Sequence, residues 1–313
     1  MPRRYHVILN SRSGTALGLN IAADAVKAYF GDAADRVSVD ADMDLPLDER
    51  AQRARWINAE VIVAAGGDGT ATAVASAIVG TDKTLAVLPL GTVNTLARDL
   101  GVPLDLSLWG PAIEAMSPQL VDVGEVDGRI FLHNVAVGLL PALVVGREYV
   151  RGLHGLGAKL AFMRFFLRRL FRARRFAVEI TDRSGMKLVR RVVALAVGNN
   201  EYDEALGRFL TRERLDGGSL GLYLIKHLSF GDLVRLVAEM LIGKWRQDQV
   251  LEIEAVNALT VRTRKPRLKV MLDGELAMLD VPLQFRIRPK ALSVLAAAPA
   301  QSTGAVAAVP AES

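Results

Sequence analysis

The sequence predicts a two-domain α/β protein, an N-terminal α/β domain followed by an antiparallel, β-sandwich-like C-terminal domain. Three observations carry this expectation. To about residue 118, short apolar strands alternate with helical stretches, which is the pattern of an α/β layer fold. Beyond that point many short strands follow, separated by Asp-Gly and Ser-Gly pairs, which is the chemistry of antiparallel turns. Three early strands also end in polar turns, two of them running from strand into glycine, and open α/β sheets bind ligands along the edge where such turns lie.

In chain order, residues 5–10 read as a first strand, 10–14 as a polar turn and 15–29 as a helix. A weak strand at 37–40 and a helix at 47–58 follow. The apolar runs 61–65 and 85–88 are short and unbroken, as expected of parallel strands covered on both faces. Residues 71–79, 92–100 and 106–116 are helical in pattern. Strands are then expected at 120–126, 129–137, 176–181, 188–198, 219–225, 250–253, 258–263, 268–272 and 283–287. Asp127-Gly128, Ser184-Gly185, Asp216-Gly217 and Asp273-Gly274 supply the turns between them. Two helical insertions interrupt the series, a basic one at 154–175 and another at 230–242. From residue 296 the chain is mostly Ala, Pro, Ser, Gly and Val, with one Gln, one Thr and one Glu, read as a disordered tail, 296–313.

The 313 residues suffice for two domains, and 51% apolar with 23% charged residues is a folding composition. The absence of cysteine excludes disulfides and thiolate metal sites and is compatible with a reducing compartment. The four histidines are scattered without metal-ligand spacing. No apolar run approaches the roughly 18 residues of a spanning helix, and the start has no secretory core. The formal charge of +5 is uneven: residues 147–176 hold nine Lys or Arg and one Glu. One basic element does not make a nucleic-acid-binding protein, and no such module surrounds it.

The turn Gly66-Gly67-Asp68-Gly69-Thr70 follows a buried-looking strand and opens a helix of small residues. Gly66, Gly67 and Gly69 let backbone N–H groups approach a phosphate, and the helix start adds more of them. Asp68 would repel a bare phosphate, so it makes sense facing a Mg²⁺ that bridges phosphates. Thr70 suits a helix cap or a hydroxyl donor to phosphate. Neither a Rossmann fingerprint nor a Walker loop is present. A second turn holds Gly91, Thr92 and Asn94, with Thr92 and Asn94 candidates for ribose, phosphate or the neighbouring loop. Asn10, Ser13 and Gly14 follow the first strand, on the same sheet edge. Together these turns predict nucleotide binding and phosphoryl transfer.

With these residues in view, the chain resembles the diacylglycerol kinase catalytic-domain family of lipid kinases, which includes sphingosine and ceramide kinases. The matching stretches are Asn10 to Gly14, Gly66 to Thr70, Leu88 to Arg98, Leu215-Asp216-Gly217-Gly218 and Asp273-Gly274-Glu275. The resemblance implies an active site in the cleft between the two domains. It implies a nucleotide-binding domain at 1–124 completed by 283–295, and a β-rich lipid-substrate domain at 125–282. It also implies ATP and Mg²⁺ as cofactors and Asp273 as the proton acceptor; Glu275, two residues on and so on the same face of an extended segment, suits either assistance to that base or orientation of a metal-bound water. A structural Mg²⁺ is implied at Asp216, with backbone carbonyls from Glu213 and Gly218. Two positions depart from the family pattern: Ser11 stands where proline is common, and Thr95 where aspartate is common.

The implied activity is ATP-dependent phosphorylation of a primary hydroxyl on a membrane lipid. Diacylglycerol ranks first, with ceramide or a sphingoid base close behind. A kinase of a soluble substrate such as NAD, and a catalytically inactive nucleotide- or lipid-binding module, stay open as alternatives. In the basic segment, Leu160, Phe162, Met163, Phe166, Leu167, Leu170 and Phe171 share one side of a helical projection, and Arg164, Arg168, Arg169 and Arg172 the other, with Phe165 among them. That suits an interfacial helix on an anionic membrane, or a packing helix with a solvated arginine face. The expected location is cytoplasmic with peripheral, reversible membrane contact, and a homodimer is left open.

Overall fold

The computed structural model describes residues 2–11, 22–139, 141, 164–165, 167–168, 170–171, 173–182, 185–204, 212 and 214–297. Residues 12–21 of the first polar turn and helix, 154–163 of the basic segment, Ser184, Glu213 and all of the tail from residue 298 lie outside the described residues.

Parallel strands β1 (Tyr5–Leu9), β2 (Val37–Asp40), β3 (Val61–Gly66) and β4 (Thr84–Pro89) pair in the order β2-β1-β3-β4. Every residue of β1, β3 and β4 is buried, which their unbroken apolar runs require, since both faces are covered. The covering helices are α1 (Ala23–Ala28), α2 (Leu47–Ala54), α3 (Asp68–Ile78), α4 (Thr95–Asp99) and α5 (Leu106–Ala115). Trp109 of α5 anchors one face: its indole N–H donates to Val87 O at 2.8 Å, and its ring meets Phe30 edge-on.

The second domain is a sandwich. Strands β5 (Ser117–Val126), β6 (Arg129–Phe131), β7 (Asn134–Gly138), β8 (Phe176–Asp182), β9 (Lys187–Val192), β10 (Ala194–Asn199) and β11 (Leu220–Ile225) precede helix α6 (Phe230–Ile242). After it come β12 (Leu251–Val256), β13 (Ala258–Arg262), β14 (Arg267–Leu272), β15 (Glu275–Asp280) and β16 (Leu283–Ala296). One sheet runs β12-β11-β10-β7-β14-β15, all antiparallel. Its inward residues, among them Val135, Val197, Leu222 and Val270, pack on Val178, Ile180, Val261 and Phe285 of the opposite sheet.

β16 joins the domains. Its first half pairs antiparallel with β13, its last residues pair parallel with β4, and β5 pairs along it with a register shift between Arg288 and Leu292. The first sheet is therefore continuous across both domains but mixed: parallel from β2 through β4 to the end of β16, and antiparallel where β16 meets β5 and β13.

Several boundaries differ from the sequence expectation for physical reasons. The predicted strand 129–137 is two strands, because Leu132 and His133 turn their N–H groups to the Asp273 carboxylate. The predicted helix 92–100 begins only at Thr95, because Asn94 is left-handed at φ 53°. Hairpin strand β15 was not expected, and β16 continues to Ala296, where the tail was expected to begin.

Candidate active site

Three strand-end turns meet at the carboxyl edge of the parallel strands. Asn10, just past β1, donates its amide N–H to Thr70 Oγ1 at 3.0 Å. Thr70 is buried, and its side chain lies where a Cβ on Gly66 would stand, 2.3 Å from its hydroxyl. Gly91 lies so close to Gly67 that a Cβ on it would come within 2.5 Å of the Gly67 Cα. The two glycines thus let the turns after β3 and β4 pack backbone to backbone. Asn94 is spent on its own turn: it accepts the Gly91 N–H at 2.9 Å and donates to Gly91 O at 2.8 Å. These contacts lie within its own turn, so they are none of the three roles open to it in the sequence. Thr92 is exposed at the turn surface, whereas Ser13 and Gly14 lie outside the described residues.

Asp68 opens α3, where the first N–H groups have no intrahelical acceptor. Its carboxylate accepts the Leu96 N–H at 3.1 Å and the Thr95 hydroxyl at 3.4 Å, capping α4. His133 Nε2 stands 3.7 Å from the same carboxylate. Burial alone would raise the Asp68 pKa; the facing imidazole and the Thr95 and Leu96 donors outweigh it and hold the group below its usual value.

From the second domain the β14–β15 turn reaches into this edge. Asp273 is left-handed at φ 47°. Its Oδ1 accepts the N–H groups of His133 (2.9 Å) and Asn134 (3.0 Å), and its Oδ2 accepts the Leu132 N–H (2.7 Å) and the Thr72 hydroxyl (3.0 Å). A carboxylate has about four acceptor positions, so all are filled, one of them by a hydroxyl from α3. Glu275 is exposed, and its Oε1 lies 2.5 Å from where a Cβ on Gly69 would stand. Asp273 and Glu275 are thus brought onto the first turn of α3, beside Gly69 and Asp68.

A buried network beneath the turns went unread in the sequence. Arg212, in the polar run before Leu215, is buried. It pairs with Asp99 Oδ2 at 2.5 Å and donates to Leu132 O and Asn199 O at 2.6 and 2.8 Å. It also meets His133 Nδ1 at 2.8 Å. A guanidinium only donates, so Nδ1 is the acceptor and the neutral ring carries its proton on Nε2, facing Asp68. Asp122, also buried, accepts the N–H groups of Gly218 (2.6 Å) and Lys290 (2.8 Å). Asp216, the candidate metal ligand, pairs with the Arg214 guanidinium at 3.3 Å. Glu213 lies outside the described residues, and among those described no three His, Asp or Glu gather as a metal cluster.

Phosphate-type glycine turns on a parallel sheet edge, closed by a carboxylate hairpin from a β-sandwich, define a two-domain kinase architecture. The diacylglycerol kinase catalytic domain matches residues 4–126, and the YegS C-terminal NAD kinase beta sandwich-like domain matches residues 146–296. A "Probable lipid kinase YegS-like" of Pseudomonas putida is 30% identical over 242 residues, covering 74% of this chain and 75% of the relative. Another of that name from Pseudomonas syringae pv. tomato is 49% identical over 81 residues, only 25% of either chain. The chain belongs to the diacylglycerol kinase catalytic-domain family of lipid kinases. A Bacillus anthracis diacylglycerol kinase structure superposes with a TM-score of 0.65 at 20% identity, covering 94% of this chain and 97% of the other. An Archaeoglobus fulgidus NAD kinase, solved with ATP, gives 0.50 at 14% identity, covering 95% and 94%. At these identities both structures speak to the fold alone.

Proposed function

We propose that this protein is an ATP-dependent lipid kinase that phosphorylates a primary hydroxyl, with diacylglycerol the first choice and ceramide or a sphingoid base next. The observation that carries the reading is the Thr72 hydroxyl on Asp273, one helical turn from the Asp68 end of α3. It is a hydroxyl already held by a carboxylate beside a phosphate-type turn.

Bound Mg-ATP would supply the γ-phosphoryl group and the charge neutralisation that phosphoryl transfer needs. The N–H groups of the first turn of α3 suit its phosphates. Mg²⁺ commonly takes one or two carboxylates plus phosphate oxygens and waters. Asp68 and the exposed Glu275 fit that sparse donor set. Asp216, which meets the exposed Arg214 guanidinium through Oδ1, would hold the structural Mg²⁺ away from the transferred phosphate, and no step is routed through a metal there. Asp273 would engage the lipid hydroxyl by exchanging Thr72 for it, leaving the three backbone donors to hold the carboxylate in place. The proton leaving the attacking hydroxyl passes to Asp273 Oδ2. The protein would work in the cytoplasm, in reversible contact with the membrane that holds its substrate. No helix among the described residues is long and apolar enough to cross a membrane.

The test is incubation of the purified protein with γ-labelled ATP and either a total lipid extract or NAD, with mass spectrometry of the products. A phosphomonoester lipid is expected. Label in NAD alone would overturn the lipid reading, and ATP binding without transfer to either acceptor would leave a regulatory module.

A further inference from the structure

Helix α6 presents two apolar faces, and the fold uses only one. Its start is fixed by a capping box between Ser229 and Asp232, and its end by Gly243 in the left-handed region at φ 68°. Leu236 and Met240 pack down on Tyr202, Tyr223 and Trp245, over the outer face of the six-stranded sheet. Leu233 packs sideways with Leu170 and Ala173. Beside that inward face runs a second stripe, Phe230, Val234, Val237 and Leu241, spaced i, i+4, i+7, i+11. These residues are 43–53% exposed, and Ile242 next to them is 55% exposed. No charge interrupts the stripe. Asp232, Arg235 and Glu239 lie on the far side of the helix, paired among themselves and with His227 and Asp248.

The flank of this stripe is basic. Leu170 and Ala173, which share the small core with Leu233, sit in a segment whose Arg164, Arg168, Arg174 and Arg175 are exposed. Phe171 in the same segment is 72% exposed. An apolar stripe with aromatic residues at its border and arginines alongside is the chemistry of an interfacial surface. Charge decides between occupants. A two-fold pairing of this face with a second copy brings arginines toward arginines, whereas an anionic bilayer supplies the missing counter-charge.

We infer that the outward stripe of α6, with the arginines beside Leu170, forms the surface on which the protein docks to an anionic lipid bilayer. The stripe enters the headgroup–acyl boundary and the arginines meet lipid phosphates. The inference rests on the lipid-kinase reading for its purpose. It names a surface outside the glycine turns and outside the carboxylate hairpin. Tyr202, in the core beneath the helix, accepts a hydrogen bond from Asn134 at 2.9 Å, and Asn134 donates its N–H to Asp273. The docked helix therefore stands two side chains from the candidate acceptor site.

The test is flotation of the full chain with vesicles of mixed phosphatidylglycerol and phosphatidylcholine. The variants are Val234→Asp/Val237→Asp/Leu241→Asp and Arg164→Glu/Arg168→Glu. Moving three half-exposed aliphatic side chains out of the bilayer should weaken partitioning about a hundredfold. Reversing the two arginines should weaken it at least about thirtyfold at low salt, and less at high salt, where the charges are screened. Turnover of a short-chain, dispersed lipid should stay within about twofold in both. If the triple variant unfolds, Val234→Ser/Val237→Ser takes its place, with partitioning expected to fall by about tenfold. Unchanged vesicle binding by a folded stripe variant overturns the inference. So does a shift from dimer to monomer in sedimentation with vesicle binding intact, which would mark the face as an interface between copies. Wild-type vesicle binding that depends on the stripe, with no lipid phosphorylated, would remove the lipid-kinase reading and leave the docking surface standing.

Discussion

Replacing Asp273 with asparagine tests the fold and the chemistry together. The carboxylate accepts four hydrogen bonds, from three backbone N–H groups and one hydroxyl. An amide has only one accepting oxygen. Its best placement puts that oxygen on the His133 and Asn134 N–H groups and lets its NH₂ donate to Thr72, whose hydroxyl can rotate to accept. The Leu132 N–H then faces another donor. One half-buried N–H left unsatisfied costs about 1–3 kcal/mol, and the bonds that survive lose their charge assistance, roughly 0.5 kcal/mol or more each. The expected destabilisation is about 3 kcal/mol. With a urea slope near 3 kcal/mol/M for a chain of this size, the midpoint should fall by about 1 M. Thr72→Ala removes one side-chain bond and leaves one acceptor position open, so it should cost about 1 kcal/mol. The assay is urea unfolding followed by fluorescence, alongside nucleotide binding and turnover. If Asp273→Asn unfolds within about 0.2 M of wild type, the four-donor arrangement is wrong. A pure general-base role predicts that outcome with turnover lost; the structure predicts that stability and turnover fall together.

Gly91→Ala should abolish nucleotide binding by calorimetry, because its Cβ would meet the Gly67 Cα at 2.5 Å and Asn94 Oδ1 at 2.6 Å; affinity within twofold of wild type would show that the turns can part. Arg212→Leu leaves the buried Asp99 carboxylate unpaired and should destabilise by about 3–5 kcal/mol in urea, while Asp99→Asn added to it should restore part of that loss. Asp68 has a folded pKa held below its ordinary 3.8. It therefore contributes stability that is present above about pH 4 and is lost as pH falls through the lower folded value. Acid titration of unfolding should show a flatter profile in that window for Asp68→Asn, and superimposable profiles would contradict the capping role.

What was legible in the sequence was local. A glycine run after an apolar strand states a steric need at its own position: Gly66 meets it four residues on, against Thr70, and Gly67 and Gly91 meet it against each other at the ends of adjacent strands. Helix α6 was legible to the residue, because its capping box and its terminal glycine are both printed in the chain. The α/β-then-sandwich order followed from strand spacing alone. The illegible residues have distant partners. Arg212 reads as a surface residue in a polar stretch, and its burial is made tolerable by distant partners, Asp99, 113 residues away, with Leu132 O, Asn199 O and His133. His133 has no ligand spacing to announce it, yet it sits between that pair and Asp68. Thr72 reads as one more small residue on a packing helix until a turn from the other domain brings Asp273 onto it.

Thr95 links these levels. Its place is where the family commonly carries aspartate, so this chain has a hydroxyl there instead of a carboxylate. In the structure the Thr95 hydroxyl stands 3.4 Å from Asp68 Oδ2. A carboxylate there would face a second carboxylate at close range, an arrangement that needs a cation between the two or a proton on one of them. Threonine turns the repulsion into a donor, so Asp68 is held by neutral groups and an imidazole, with no ion required to assemble the turn. The same short helix is tied at its other end, where Asp99 meets Arg212 of the second domain. α4 is thus fixed by the glycine turn at its start and by the sandwich at its end. Arg212 of the second domain and Asp68 of the first are thus joined both through the five residues of this helix and through His133.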